Sequence, residues 1–353
     1  MSIPVIPASA AGTVSYPGTT QGFHQTNPAG ALMKISFVLL IKIRSHHDHN
    51  ELDRLKNIQL RSYRKFLDLS LLQDFFIVAS ACDIEIIRDD LSTSYPEFPF
   101  VFVDEAQLCP SIQGGSGWTK QMILKIAVAS LVNTDYYLTL DTDVFLTKPL
   151  SEADLLEQGK LVYQKERAQT HVKWWQASAQ VLNYDAQLLL TRRFAMGVTP
   201  EYLVTEVSRK LQRDVESLHG TDDFAAWLMA SRMSKKSLGN KLIRAVCQAA
   251  PVLCALFPKA RLDQIRTCDW TEYTLYWTYL HKIGQLEAFY GEGERQVYGN
   301  CIWSEEDIKA SDLRGLVEKA FLDNAHYHFS IFQSSIRNLD QSQLTELIDK
   351  HLA

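Results

Sequence analysis

YYLTLDTDVFL, residues 136–146, is apolar until it breaks on two aspartates separated by a single threonine. A run this apolar has no face to offer water, so it belongs in the middle of a sheet, with Asp141 and Asp143 at its carboxyl end. Open α/β sheets collect ligands outside the carboxyl ends of their strands. The position of the pair therefore matters as much as its chemistry.

The segments around it share this logic. TKQMILKIAVASLV (119–132) reads as the helix feeding that strand, and QGGSGW (113–118) as the glycine-rich loop that opens it. Further upstream, KISFVLLIKI (34–43), DFFIVAS (74–80) and FPFVFVD (98–104) read as strands. Between the first two, Leu52, Leu55, Ile58, Leu60, Tyr63 and Phe66 fall near helical spacing. Alternating strand and helix through residue 150 predicts a mostly parallel sheet flanked by helices. Beyond it the pattern loosens: GKLVYQKE (159–166) reads as a strand, VTPEYLVTEVSRKLQRDV (198–215) and DDFAAWLMASRM (222–233) as helices, and DWTEYTLYWTYLHKIG (269–284) as an aromatic helix. Residues 336–353 read as a C-terminal helix.

Composition narrows the class. In 353 residues, 36 basic and 41 acidic side chains give a net charge of −5, which does not suit a general nucleic-acid binder. Six cysteines lie scattered, without Cys-x-x-Cys spacing, and fit a reducing cytoplasm. Residues 1–30, rich in Pro, Gly, Ser and Thr, read as a flexible tail without the features of a secretory signal. No stretch has the ~18 consecutive apolar residues of a spanning helix.

Two carboxylates at i and i+2 can cap a turn by accepting backbone N–H bonds, or converge on a hard divalent cation. Two adjacent charges at the rim of a buried sheet raise each other's ionisation cost unless donors or a cation compensate. Aspartyl-nucleophile phosphatases also end a buried strand in Asp-x-Asp, but they want Thr or Val two residues after the second aspartate, where this chain has Phe145.

GWTKQMILKIAVASLVNTDYYLTLDTDVFLTKP, MGVTPEYL, WTEYTLY and HYHFSIFQSS, in that order, resemble the DUF6492 family of GT-A-type glycosyltransferases over about residues 33–335. The resemblance implies a GT-A-like, Rossmann-related α/β fold over 31–335, with helical C-terminal additions. Its nucleotide-sugar half would span about 31–150 and its acceptor half about 151–335. It implies Mn²⁺ or Mg²⁺ as cofactor, a nucleoside-diphosphate sugar as donor, and a glycan or lipid-linked glycan as acceptor. Asp143 would bind the cation directly, Asp141 would contact ribose or reach the metal through water, and His328 would complete the metal shell. A lapsed transferase that only binds carbohydrate is the alternative function.

Other positions carry two readings each. Trp118, Gln121 and Lys125 could meet phosphate or nucleobase at a helix start, or be a packed tryptophan and a solvated lysine. Gly197 and Thr199 could line a sugar pocket, or simply open a helix at Pro200. Glu272, between Trp270 and Tyr273, could be a proton acceptor with the aromatics as a sugar platform, or a helix-opening acid beside core aromatics. Asp223 is the second choice of base. His46, His47 and His49 fit a solvated loop better than a metal cluster. Residues 232–266 carry eight basic side chains against Asp263 around a Pro-interrupted apolar run, which suits either peripheral contact with an anionic inner membrane face or a buried helical hairpin.

Overall fold

The computed structural model describes residues 33–43, 51–112, 116–190, 193–195, 200–232, 270–291, 295–323, 326–334, 336 and 339–353. Residues 1–30, the 46–49 cluster, Gly197, Thr199 and nearly all of 232–266 lie outside them. Lys34–Ala353 forms one compact unit. Among the described residues no helix is long and apolar enough to cross a membrane.

Four parallel strands, β1 (Ile35–Leu40), β2 (Leu72–Ala79), β3 (Phe100–Asp104) and β4 (Tyr136–Leu140), make the central sheet in the order β4-β1-β2-β3. Every residue of β1 and β4 is buried, including Ser36 and Thr139, as their predominantly apolar sequences require. The Glu201–Val204 strand pairs antiparallel on the outer edge of β4. The helix expected to start near Pro200 therefore begins at Thr205 and runs to His219. Burial of Glu201–Val204 beside β4 overrides local helical preference there. GKLVYQKE likewise divides, with Lys160–Leu161 and Lys165–Arg167 pairing with different partners.

Local chemistry sets the helix starts. Ser80 accepts from Asp83 N to begin the Ala81–Ser94 helix, and Ser116 does the same from Thr119 N for Gly117–Ala127. The helix over 51–66 is α at both ends, with a π turn over Leu55–Leu60 in between. Its i→i+5 bonding alters the helical phase, and Leu55, Leu60 and Tyr63 all reach the core.

After Asp143 the chain forms β5 (Val144–Leu146), which pairs antiparallel with Phe329–Ile331. A second core gathers there from Phe145, Ile302, Val317, Phe332, Leu344 and Ile348. The C-terminal helix, Gln341–Leu352, contributes the last two and ties back to the 51–66 helix through an Arg61–Asp349 ion pair.

Gly299 marks a close approach in this region. A Cβ on it would lie 2.5 Å from Tyr327 Cδ1, and that ring is itself buried. Gly299→Ala is expected to destabilise the protein by about 1–3 kcal/mol through overpacking. Urea denaturation checks this; an unchanged midpoint would refute it.

Candidate functional site

The turn Asp141-Thr142-Asp143 joins β4 to β5 and is closed by Val144 N donating to Asp141 O at 3.2 Å. The 51–66 helix braces it. Gln59 Nε2 donates to Asp141 O at 2.9 Å, Tyr63 OH to Val144 O at 3.2 Å, and Leu146 N to Ser62 Oγ at 2.9 Å. The Thr142 hydroxyl donates to the Glu51 carboxylate.

Asp141 faces the Gly117–Ala127 helix. Its Oδ1 accepts from Gln121 Nε2 at 2.7 Å and lies 3.0 Å from Lys125 Nζ. Lys125 also stands 3.2 Å from Glu272 Oε1 and donates to Tyr273 OH at 3.1 Å. Glu272 and Tyr273 open the Glu272–Lys282 helix, capped by Thr271. Lys125 is thus a buried hub, its side chain 3% exposed. Burial alone would push its ammonium pKa down, but Asp141, Tyr273 and Glu272 together hold it well above the ordinary lysine value. Burial pushes the Glu272 carboxyl up, and Lys125 offsets only part of that rise.

Asp143 lines the same cleft and is held from the chain's C-terminal part. It is 7% exposed; its Oδ2 accepts from Ser334 N at 2.9 Å and its carbonyl from Phe332 N at 3.2 Å. Burial first, and the Asp141 charge second, push its carboxyl up to about 6, against the pull of the Ser334 N–H and of Arg54. Arg54 is buried, donates from Nη1 to Phe332 O at 2.8 Å, and has no hydrogen-bond partner for Nη2 among the described residues.

Two hard oxygen donors, one of them buried and costly to ionise, fit a divalent cation. Among the described residues no group of three His, Cys, Asp or Glu side chains is placed to hold an ion. A cation here would take its remaining oxygens from a diphosphate and water, which is the common manner of Mg²⁺.

Trp118, Gln121, Lys125, Asp141, Asp143, Glu272 and Tyr273 all line one cleft of about 570 Å³. That volume lies within the range of roughly 300–1,000 Å³ typical of small-molecule sites. Three other candidates stand elsewhere. Asp223 Oδ1 accepts from Ser111 Oγ at 2.9 Å and from Ala226 N at 2.8 Å, so it caps the Phe224–Arg232 helix. His328 Nδ1 donates to Pro149 O at 2.7 Å, and its Nε2 lies 3.3 Å from Asp154 Oδ1, so both ring nitrogens are engaged away from the cleft. Trp270 is fully buried, with Nε1 donating to Ser231 Oγ at 3.1 Å.

Sequence reasoning missed Glu51, Trp174, Trp303, Gln333 and Ser334 on the cleft wall, and Arg54 beside Asp143. HYHFSIFQSS held a usable signal for Ser334, since that block resembles the family; Glu51 and Arg54 sit in a helix that the sequence marks only by its apolar spacing.

No curated protein matches the sequence. Among solved structures, apo mouse xyloside xylosyltransferase 1 superposes with a TM-score of 0.43 at 10% identity, covering 85% of this chain and 97% of its own. The galactosyltransferase LgtC with donor and acceptor sugar analogues gives 0.40 at 8% identity, covering 90% and 96%. Apo glycosyltransferase GlyE of Streptococcus pneumoniae gives 0.37 at 10% identity, covering 91% and 60%. The profile of a family described as a family of unknown function, DUF6492, matches residues 32–353, and this chain belongs to that family.

Proposed function

We propose that the cleft takes a nucleoside-diphosphate sugar with Mn²⁺ or Mg²⁺ and passes the sugar to a hydroxyl of a glycan or lipid-linked glycan. The observation that carries this is the pair of carboxylates at the carboxyl end of β4, one of them buried, inside a cleft sized for a small molecule. Asp143 and Asp141 are the residues to hold the cation, whose chemistry is to neutralise the diphosphate and stabilise it as a leaving group.

The protein's own groups divide the remaining work. Gln121 and Lys125 fix Asp141 by hydrogen bond and charge. Ser334 N fixes one oxygen of Asp143. In an inverting transfer, the acceptor hydroxyl gives its proton to Glu272 as its oxygen bonds the anomeric carbon and the bond to the diphosphate breaks. A buried carboxyl with a raised pKa suits that role. The wall residues come from both proposed halves: Gln121, Lys125 and the aspartates from 31–150, and Trp174, Glu272 and Gln333 from 151–335.

A thermal-shift screen of nucleoside diphosphates and their sugars, with and without Mn²⁺, tests the proposal, since ligands of the native state raise apparent stability. A cation-dependent rise for one nucleotide series is expected. No rise across uridine, guanosine, adenosine, cytidine and thymidine diphosphates and their sugars would overturn it.

A further inference from the structure

Trp174 and Trp303 line the same cleft, yet neither takes part in bracing the carboxylates. Trp303 leaves 43% of its surface exposed. Trp174 is partly exposed, and its ring stacks on His171 with centroids 4.0 Å apart and planes at 13°. An indole is the largest apolar surface a residue can leave in water, and such surfaces gathered at one cleft mark a binding site.

Both residues are held in place. Trp303 N and Ser304 N donate to Asp307 Oδ2 at 2.8 and 2.9 Å, in the cap that starts the Glu305–Ala310 helix, and the Tyr298 ring meets the Trp303 indole edge-on at 6.3 Å. Trp174 rides on the Val172–Val181 helix, which is joined to the Glu272–Lys282 helix by Ser178 and Thr274 hydroxyls 2.7 Å apart. Next to Trp303, Ile302 O accepts from Gln333 N at 2.8 Å, one residue before Ser334 binds Asp143. One indole is thereby tied to the Asp143 side of the cleft and the other to the Glu272 side. Surfaces fixed in advance lose little entropy when a ligand lands on them.

The rest of the wall decides what lands. Lys42, Glu51, Glu105 and Lys120 line the cleft as well. Glu105 and Lys120 pair at 2.7 Å, and a lipid chain laid there would strip water from all four charged groups without offering a hydrogen bond in return, which is costly. A pyranose ring presents a flat face of C–H groups and a rim of hydroxyls. Its weakly positive hydrogens suit the negative face of an indole, and its hydroxyls suit charged and amide side chains.

We propose that Trp174 and Trp303 form a saccharide platform, so that the group receiving the transferred sugar is itself a sugar ring. That this ring receives the transferred sugar rests on the function proposed above; the platform itself binds saccharide without nucleotide or cation.

The test uses the full chain in buffer free of both, titrated with tetrasaccharides of glucose, galactose, mannose and N-acetylglucosamine, and read by tryptophan fluorescence and calorimetry. At least one is expected to bind. Trp303→Ala and Trp174→Ala should each weaken that binding about tenfold or more, while Trp303→Phe stays within about threefold. Affinity for nucleoside diphosphate with Mn²⁺ should stay within about twofold in all three variants. Trp303 contributes little to the core, so its variants should melt with the parent. No saccharide binding by the parent, or Trp303→Ala weakening the nucleotide instead of the saccharide, would overturn the platform. Saccharide binding with no nucleotide binding would support the platform and overturn only the donor assignment.

Discussion

Asp143→Asn is expected to erase the stabilisation by Mn²⁺ and nucleoside diphosphate while leaving the ligand-free protein more stable than the parent at pH 7.5. The carboxyl of Asp143 titrates at about 6 in the folded chain, against an ordinary 3.8. Because the folded value is the higher one, the stabilising contribution is complete below about 3.8 and is lost as pH rises through about 6. Above that range the ligand-free protein bears a buried anion worth on the order of 2–3 kcal/mol of lost stability. Asparagine keeps the size of the side chain and an acceptor for Ser334 N but removes the charge. The gain is trimmed because Arg54 loses its neighbouring carboxylate. Calorimetric melting between pH 5 and 8 should show the parent's response to Mn²⁺ growing with pH and the variant showing none. A variant that still responds to Mn²⁺, or melts below the parent at pH 7.5, would contradict this account.

Lys125→Met should have the largest effect on folding. It removes the cation between Asp141 and Glu272 and leaves Glu272, only 6% exposed, without its ion-pair partner. Breaking a buried pair from one side costs about 3–5 kcal/mol. Burial already raises the Glu272 carboxyl, and without Lys125 it would rise further. The folded state then favours the protonated acid, so the loss should shrink as pH falls. Urea denaturation at pH 8 and pH 5 measures both parts. A loss under about 1 kcal/mol at pH 8 would mean that the lysine behaves like a surface partner.

The strands and the aspartate turn were legible because burial on both faces leaves an unbroken apolar run, and a carboxylate pair ending one is conspicuous. Lys125 was visible as a residue but not as a role. Sequence left it either meeting phosphate or nucleobase or solvated, whereas it is buried between Asp141 and Glu272, a partner 147 residues away whose position depends on helix packing. Ser334 acts through its backbone N–H, which side-chain patterns do not encode. The Glu201–Val204 strand merged with the helix after it because four buried residues are too few to declare a period. The resemblance implied His328 as a ligand and Asp223 was the second choice of base, yet each has a backbone partner, Pro149 O and Ala226 N.

Asp143 is secured by Ser334, 191 residues further along the chain. During synthesis the parallel sheet can pair as soon as Leu140 has left the ribosome, while the carboxylate's clamp must wait for Ser334. A nascent chain stalled before residue 330 would carry the scaffold with the proposed cation site unfinished. Competence for the proposed transfer is therefore reached only once Ser334 has emerged.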